Sequence, residues 1–189
     1  MASPIGHLLA GYTIYSSIGR RVPKGRSSMI WMCMFMAIAP DLDFIPGLVL
    51  GQPALYHQGI SHSFGCALTV SLALAWLYGH GGRAFVGTCV ALFLSYSSHL
   101  AIDFFAPDGR VPYGQPLLWP IEHSHYISPF AIFWGFHHAG SASSSTFQWV
   151  TSIFSLHNLG AIAVELAIMS PIIVLTRRLK NHWERVLLQ

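Results

Sequence analysis

The chain has 189 residues, of which 53% are hydrophobic and only 9% charged, with a formal net charge of +3 and a mean hydropathy of +0.50. Soluble domains carry roughly 25% charged residues, so this composition excludes an ordinary water-soluble globule and indicates one polytopic membrane domain over residues 1–189. Most basic residues form two clusters, Arg20/Arg21/Lys24/Arg26 and Arg177/Arg178/Lys180/Arg185. These read as cytoplasmic anchors; no basic stripe interleaved with aromatics is present, which argues against a nucleic-acid partner.

Apolar windows fall at 5–19, 28–39, 61–79, 84–105 and 155–176, with a short one at 127–136. The first, "MASPIGHLLAGYTIY", lacks the basic start of a secretory signal and is kept in the mature fold. The second, from Ser27 to Ala39, rises roughly 20 Å at about 1.5 Å per residue and should stop short of the far face. Pro40 then breaks the helix, and "PDLDFIPG" is expected to be irregular backbone lining a polar pocket. An extended "DLD" would point Asp41 and Asp43 the same way. Only the third, fourth and last windows are long enough to cross the bilayer comfortably, which takes roughly 20 residues.

Residues 106–152, including the serine-rich "HHAGSASSSTFQWVTS", read as a long extracytoplasmic loop with an interfacial or re-entrant piece, followed by a last membrane helix at 153–178. The expected fold is an all-α polytopic bundle of about five spanning or partly spanning helices plus that segment. Cys33, Cys66 and Cys89 stand singly and predict neither disulfides nor a thiolate site.

With both basic clusters placed inside, the segments run alternately in and out. His7, Asp41, Asp43, His57, His62, His99 and Asp103 then gather at the extracytoplasmic side. Carboxylates in apolar sequence are costly, and are functional candidates for that reason. His99 and Asp103 stand at i and i+4, on one helix face. A nitrogen and oxygen donor set suits zinc, with manganese the alternative, and more than four candidate ligands suggests two ions. A two-metal site activates water for phosphoester displacement, with an unbound carboxylate of the Asp41/Asp43 pair as base. Gln58, Ser61 and Ser63 are the candidate substrate or orienting contacts.

Glu122, His123 and His125 form a weaker extra candidate, and Glu165 has no rationale beyond pairing with a polar group inside the bundle. A metal or proton transporter is the competing class, but "AFVGTCVALFL" offers no polar path to the other face. A purely structural ion site is the third reading.

The order "GHLLAGY", "APDLDFIPG", "HQGISHS", "SHLAID" and "GQPLLWP" resembles the YdjM-like family of membrane-bound metal-dependent hydrolases over about residues 5–120. Two departures stand out: Gln58 and Ser61 replace the family's arginine and threonine, and "DGRVPY" lengthens the turn before Gly114. The family in turn resembles zinc-dependent phospholipase C. That likeness implies His7, one of Asp41 or Asp43, one of His57 or His62, His99 and Asp103 as ligands of one or two ions, with Asp103 bridging. It also implies an inner- or plasma-membrane enzyme that meets membrane lipids and cleaves a lipid or lipid-linked phosphate.

Overall fold

The computed structural model describes residues 1–18, 26–52, 55–78, 82–109, 111–138 and 145–186. The basic residues Arg20, Arg21 and Lys24, and serines 141 and 143–144 of the loop, lie outside the described residues. The architecture is all-α: α1 Pro4–Ile18, α2 Arg26–Ile38, α3 Phe44–Val49, α4 Phe64–Tyr78, α5 Gly82–Phe104, α6 Thr146–Ile153 and α7 Leu156–Val186. Among the described residues the only β feature is an isolated bridge between Gln115 and Tyr126.

Helix starts follow local chemistry. Ser3 caps α1 by accepting the Gly6 N–H at 3.2 Å, with Pro4 in the first helical position, where its missing N–H costs nothing. Ser63 caps α4 through the Cys66 N–H at 3.1 Å. Ser145 and Gln148 form a reciprocal capping box at α6.

Two local expectations change. "APDLD" is not extended: residues Ala39–Asp43 form a 3₁₀ helix that passes directly into α3. Proline is tolerated at the start of that turn, so Pro40 ends α2 without ending helical winding. Ser28–Val49 therefore becomes a 22-residue apolar segment long enough to cross a membrane, as are Gly82–Phe104 and Leu156–Trp183, whereas α4, from the third window, has only 15 residues and is shorter than expected for a full span. The 127–136 window forms no helix; Ser128 N–H and Ile132 N–H instead cap α5 at the carbonyls of Phe104 and Phe105, at 2.9 and 2.8 Å. Of the 106–152 loop, the helical piece is α6.

The bundle is organised around α5, which packs on α1, α2 and α4, while α1 also packs on α2 and α7. Tyr96, Leu92, Leu100, Met36 and Ala67 form one core cluster between α2, α4 and α5. α7 continues past the expected end, and Lys180 Nζ donates to the Ser16 carbonyl at 2.9 Å, satisfying the last turn of α1. Trp31, Trp76 and Trp183 are exposed on the outer surface, as interfacial aromatics of membrane helices are.

Close approach of α1 and α2 depends on Gly11, where a Cβ would lie 2.5 Å from the Cys33 carbonyl oxygen. Gly11→Ala is expected to destabilise the detergent-solubilised protein by about 1–3 kcal/mol through overpacking. An unchanged thermal midpoint would contradict this packing.

Candidate metal centre

Four helix ends converge on one end of the bundle. His7 lies in the second turn of α1, Asp41 in the 3₁₀ turn after α2, His62 in the short 3₁₀ turn Ile60–His62 before α4, and His99 and Asp103 in the last turns of α5. His7, His62 and His99 have no exposed surface, and Asp103 is 4% exposed. The His7 and His99 rings stack at 3.7 Å.

Hydrogen bonding selects which nitrogen each imidazole presents. His99 Nδ1 donates to the Ala37 carbonyl at 2.8 Å, leaving Nε2 as its inward-facing lone pair. His62 Nδ1 lies 3.0 Å from Ser61 Oγ and 3.2 Å from Asp43 Oδ2, so its Nε2 also faces inward. The two Nε2 atoms are 3.2 Å apart. His62 Nε2 lies 3.6 Å from Asp41 Oδ1 and 3.9 Å from Asp103 Oδ2, and His99 Nε2 lies 3.5 and 3.4 Å from the same oxygens. Ligands about 2.0–2.1 Å from a tetrahedral zinc stand roughly 3.3–3.4 Å apart. Four of these separations, 3.2–3.6 Å, are close to the edges of such a tetrahedron, and that from His62 to Asp103, 3.9 Å, is longer.

Asp41 Oδ1, Asp103 Oδ2 and both nitrogens of His7 are buried without a hydrogen-bond partner. Orphaned acceptors turned toward one another repel, and a shared cation is the arrangement that satisfies them. Asp103 Oδ1 faces His7 Nε2 at 3.3 Å, on the other side of the carboxylate. His62, His99 and Asp103 form one ligand triple, and His7, Asp41 and His99 another; three protein ligands leave a fourth tetrahedral position open, as at catalytic zinc sites.

Asp43 and His57 stand outside that tetrahedron. Asp43 Oδ1 accepts His57 Nδ1 at 2.9 Å, and Oδ2 accepts the Gln58 N–H at 3.0 Å and the Ser61 hydroxyl at 2.8 Å. Its oxygens are thus engaged in orienting neighbours, including His62. The 3₁₀ winding explains the split, because residues two apart no longer share a face. His57 also comes within 4.0 Å of Asp41 through Nδ1, so Asp41, His57 and His62 remain a possible ligand triple. The His57 ring stacks on Phe44 at 3.8 Å, and its Nε2 meets Met1 Sδ at 2.9 Å. Gln58 holds a left-handed backbone with φ 61°, a strained conformation fixed here by Asp43.

Ser63 is taken up by capping α4 and by donating to the Ile60 carbonyl. Glu122 is exposed on the covering loop, bonded to the Tyr126 hydroxyl at 2.6 Å, and belongs to no ligand cluster. Gln115 is buried and braces the same loop to α5 through the Leu100 carbonyl at 3.0 Å. Sequence reasoning missed the Ala2 N–H, which donates to Asp103 Oδ1 at 2.7 Å, and the Ala37 carbonyl behind His99. Backbone donors and acceptors carry no residue-type signature.

Beside the cluster lies a cleft of about 550 Å³ lined by Met1, His57, Gln58, Phe136, His138 and others. His57 forms the wall between cleft and cluster.

Fold and site together define an all-α integral membrane protein with a buried His/Asp cluster of metal-ligand geometry. The chain belongs to the family described as YdjM inner membrane protein, which matches residues 1–182. No curated protein and no solved structure matches it.

Burial opposes charge on His62, but the carboxylates of Asp41 and Asp43 beside it prevail and push its pKa up to about 10. Below that pH a divalent ion must displace the proton, so zinc affinity is expected to rise with pH, about tenfold per unit for each proton released. Calorimetry in buffers of different ionisation enthalpy checks this. Proton-free, pH-independent binding would contradict it.

Proposed function

We propose that the protein is an integral-membrane, metal-dependent hydrolase that cleaves a phosphoester of a lipid or lipid-linked substrate. The observation that carries this reading is the buried set of inward-facing oxygens and nitrogens from Asp41, His62, His99 and Asp103, beside an open cleft lined by His57. The cleft falls within the roughly 300–1,000 Å³ typical of small-molecule sites. Zinc is the ion the donor set favours, with manganese second.

A bound divalent ion supplies Lewis-acid activation of water and of the phosphoryl oxygen. The chain's own residues do the rest. Asp41 lies outside the His62/His99/Asp103 triple, and its side chain is 15% exposed. It accepts the proton of the attacking water as the water oxygen bonds to phosphorus and the ester P–O bond breaks; the proton then passes to the leaving oxygen. Asp43 holds His57 and His62 in place through the bonds described above. Gln58 and Ser61 keep the cleft wall in register with the cluster.

A His/Asp cluster confined to one end of the bundle supports hydrolysis of one positioned ester bond over ion passage. Toward the opposite end, α5 runs through Gly82–Leu94 without a histidine, aspartate or glutamate. The basic residues Arg177, Arg178, Lys180 and Arg185 lie toward the C-terminal end of α7, where Lys180 meets Ser16 at the end of α1 away from His7. By the positive-inside rule this supports a site on the extracytoplasmic side.

Asp103→Ala is expected to abolish cleavage of a phospholipid or generic phosphodiester by zinc- or manganese-loaded protein, read by mass spectrometry of the products. Equal cleavage by the variant would contradict the proposal. Zinc flux into proteoliposomes, abolished by His99→Ala, would favour transport instead.

A further inference from the structure

We propose that Glu165, in the middle of α7, is a positioning residue for the metal centre, acting through the first turn of α1 on the carboxylate of Asp103. The inference rests on the metal-centre reading above.

Glu165 has no exposed surface although it lies in a segment apolar enough to cross a membrane. Both its oxygens go to a single residue at the other end of the chain. Oε1 accepts the Ser3 N–H at 2.6 Å, and Oε2 accepts the Ser3 hydroxyl. Ser3 is the N-cap of α1, its Oγ accepting the Gly6 N–H. One carboxylate thus fixes backbone and side chain of the residue that starts the helix.

The consequence appears one residue earlier. Holding Ser3 sets the direction of the preceding peptide, and the Ala2 N–H then meets Asp103 Oδ1 at 2.7 Å. Asp103 Oδ2 remains turned to His99 and His62. The chain of contacts from α7 to the cluster is therefore Glu165, Ser3, Ala2, Asp103, with no solvent-exposed link: Ala2 and Ser3 have no exposed surface. His7, one turn into the same helix, is placed by the same anchor.

Gly6 shows that the approach is close. A Cβ there would lie 2.7 Å from Glu165 Oε2, so a side chain at position 6 would push the carboxylate off Ser3. A simple rivet between α1 and α7 would require neither the two-pronged grip on the N-cap nor the bare helix face beneath it.

The test compares full-length, detergent-solubilised protein carrying Glu165→Ala, Glu165→Gln, Ser3→Ala or Gly6→Ala with the wild type. Zinc affinity is read by competition with a chromophoric chelator, and ligand geometry by the cobalt(II) absorption spectrum. Loss of an outer-shell partner weakens metal binding by roughly 10- to 100-fold. Glu165→Ala is expected to fall in that range with an altered cobalt spectrum, and Glu165→Gln to recover part of the loss through its remaining carbonyl oxygen. Ser3→Ala, which removes one hydroxyl, is expected to fold and to show a smaller loss of the same kind. Gly6→Ala combined with Glu165→Ala should be no worse than the stronger single change.

Wild-type zinc affinity and cobalt spectrum in both Glu165→Ala and Ser3→Ala, even with a lower thermal midpoint, would overturn the positioning role and leave the metal centre standing. A wild-type chain that takes up neither zinc nor cobalt would overturn both.

Discussion

The structure turns on one electrostatic problem: two imidazole lone pairs and two carboxylate oxygens are held face to face within 3.2–3.9 Å, inside a membrane protein and away from water. An aspartate at the centre of a membrane helix costs about 2.5–3.5 kcal/mol on an insertion scale. Binding of a structural zinc is worth roughly 10–16 kcal/mol at neutral pH. That is enough to offset two buried carboxylates and the lone-pair repulsion. The carboxylates of Asp41 and Asp43 favour a proton on His62, whose pKa is pushed up to about 10.

Much of the fold serves to bring these atoms to one place. Antiparallel helices present alternate ends on a given side, so the start of α1, the end of α2, the start of α4 and the end of α5 meet without long excursions of the chain. The loop after α5 covers that end, pinned to the Phe104 and Phe105 carbonyls and, at Phe136, to the Met1 carbonyl. Asn158 at the start of α7 holds the same loop through both the amide and the carbonyl of His137. The cluster is thus roofed, while a cleft opens beside His57.

What the sequence made legible follows from periodicity. Helical spacing alone puts His99 and Asp103 on one face of α5, and hydropathy locates α1, α2, α4, α5 and α7 to within a few residues at most ends. Alternation of the segments brings His7, Asp41, His62 and the α5 pair to a common side, and in the structure they meet there. The winding of "APDLD" was not legible, because a proline after a helix is compatible with either an extended strand or a new 3₁₀ turn. That choice decides the roles of two aspartates: Asp41 turns to the inner nitrogens, and Asp43 to His57, Gln58 and Ser61. Glu165 stood out as a charge in an apolar window, but its partner is a serine 162 residues away, which no local pattern reveals.

X-ray absorption at the zinc edge of the purified, zinc-loaded protein tests the central claim most directly. The account predicts a first shell of nitrogen and oxygen only, at about 2.0–2.2 Å, with the outer-shell scattering of at least two imidazoles from His62 and His99. A shell containing sulfur, or water-only coordination without imidazole scattering, would contradict it.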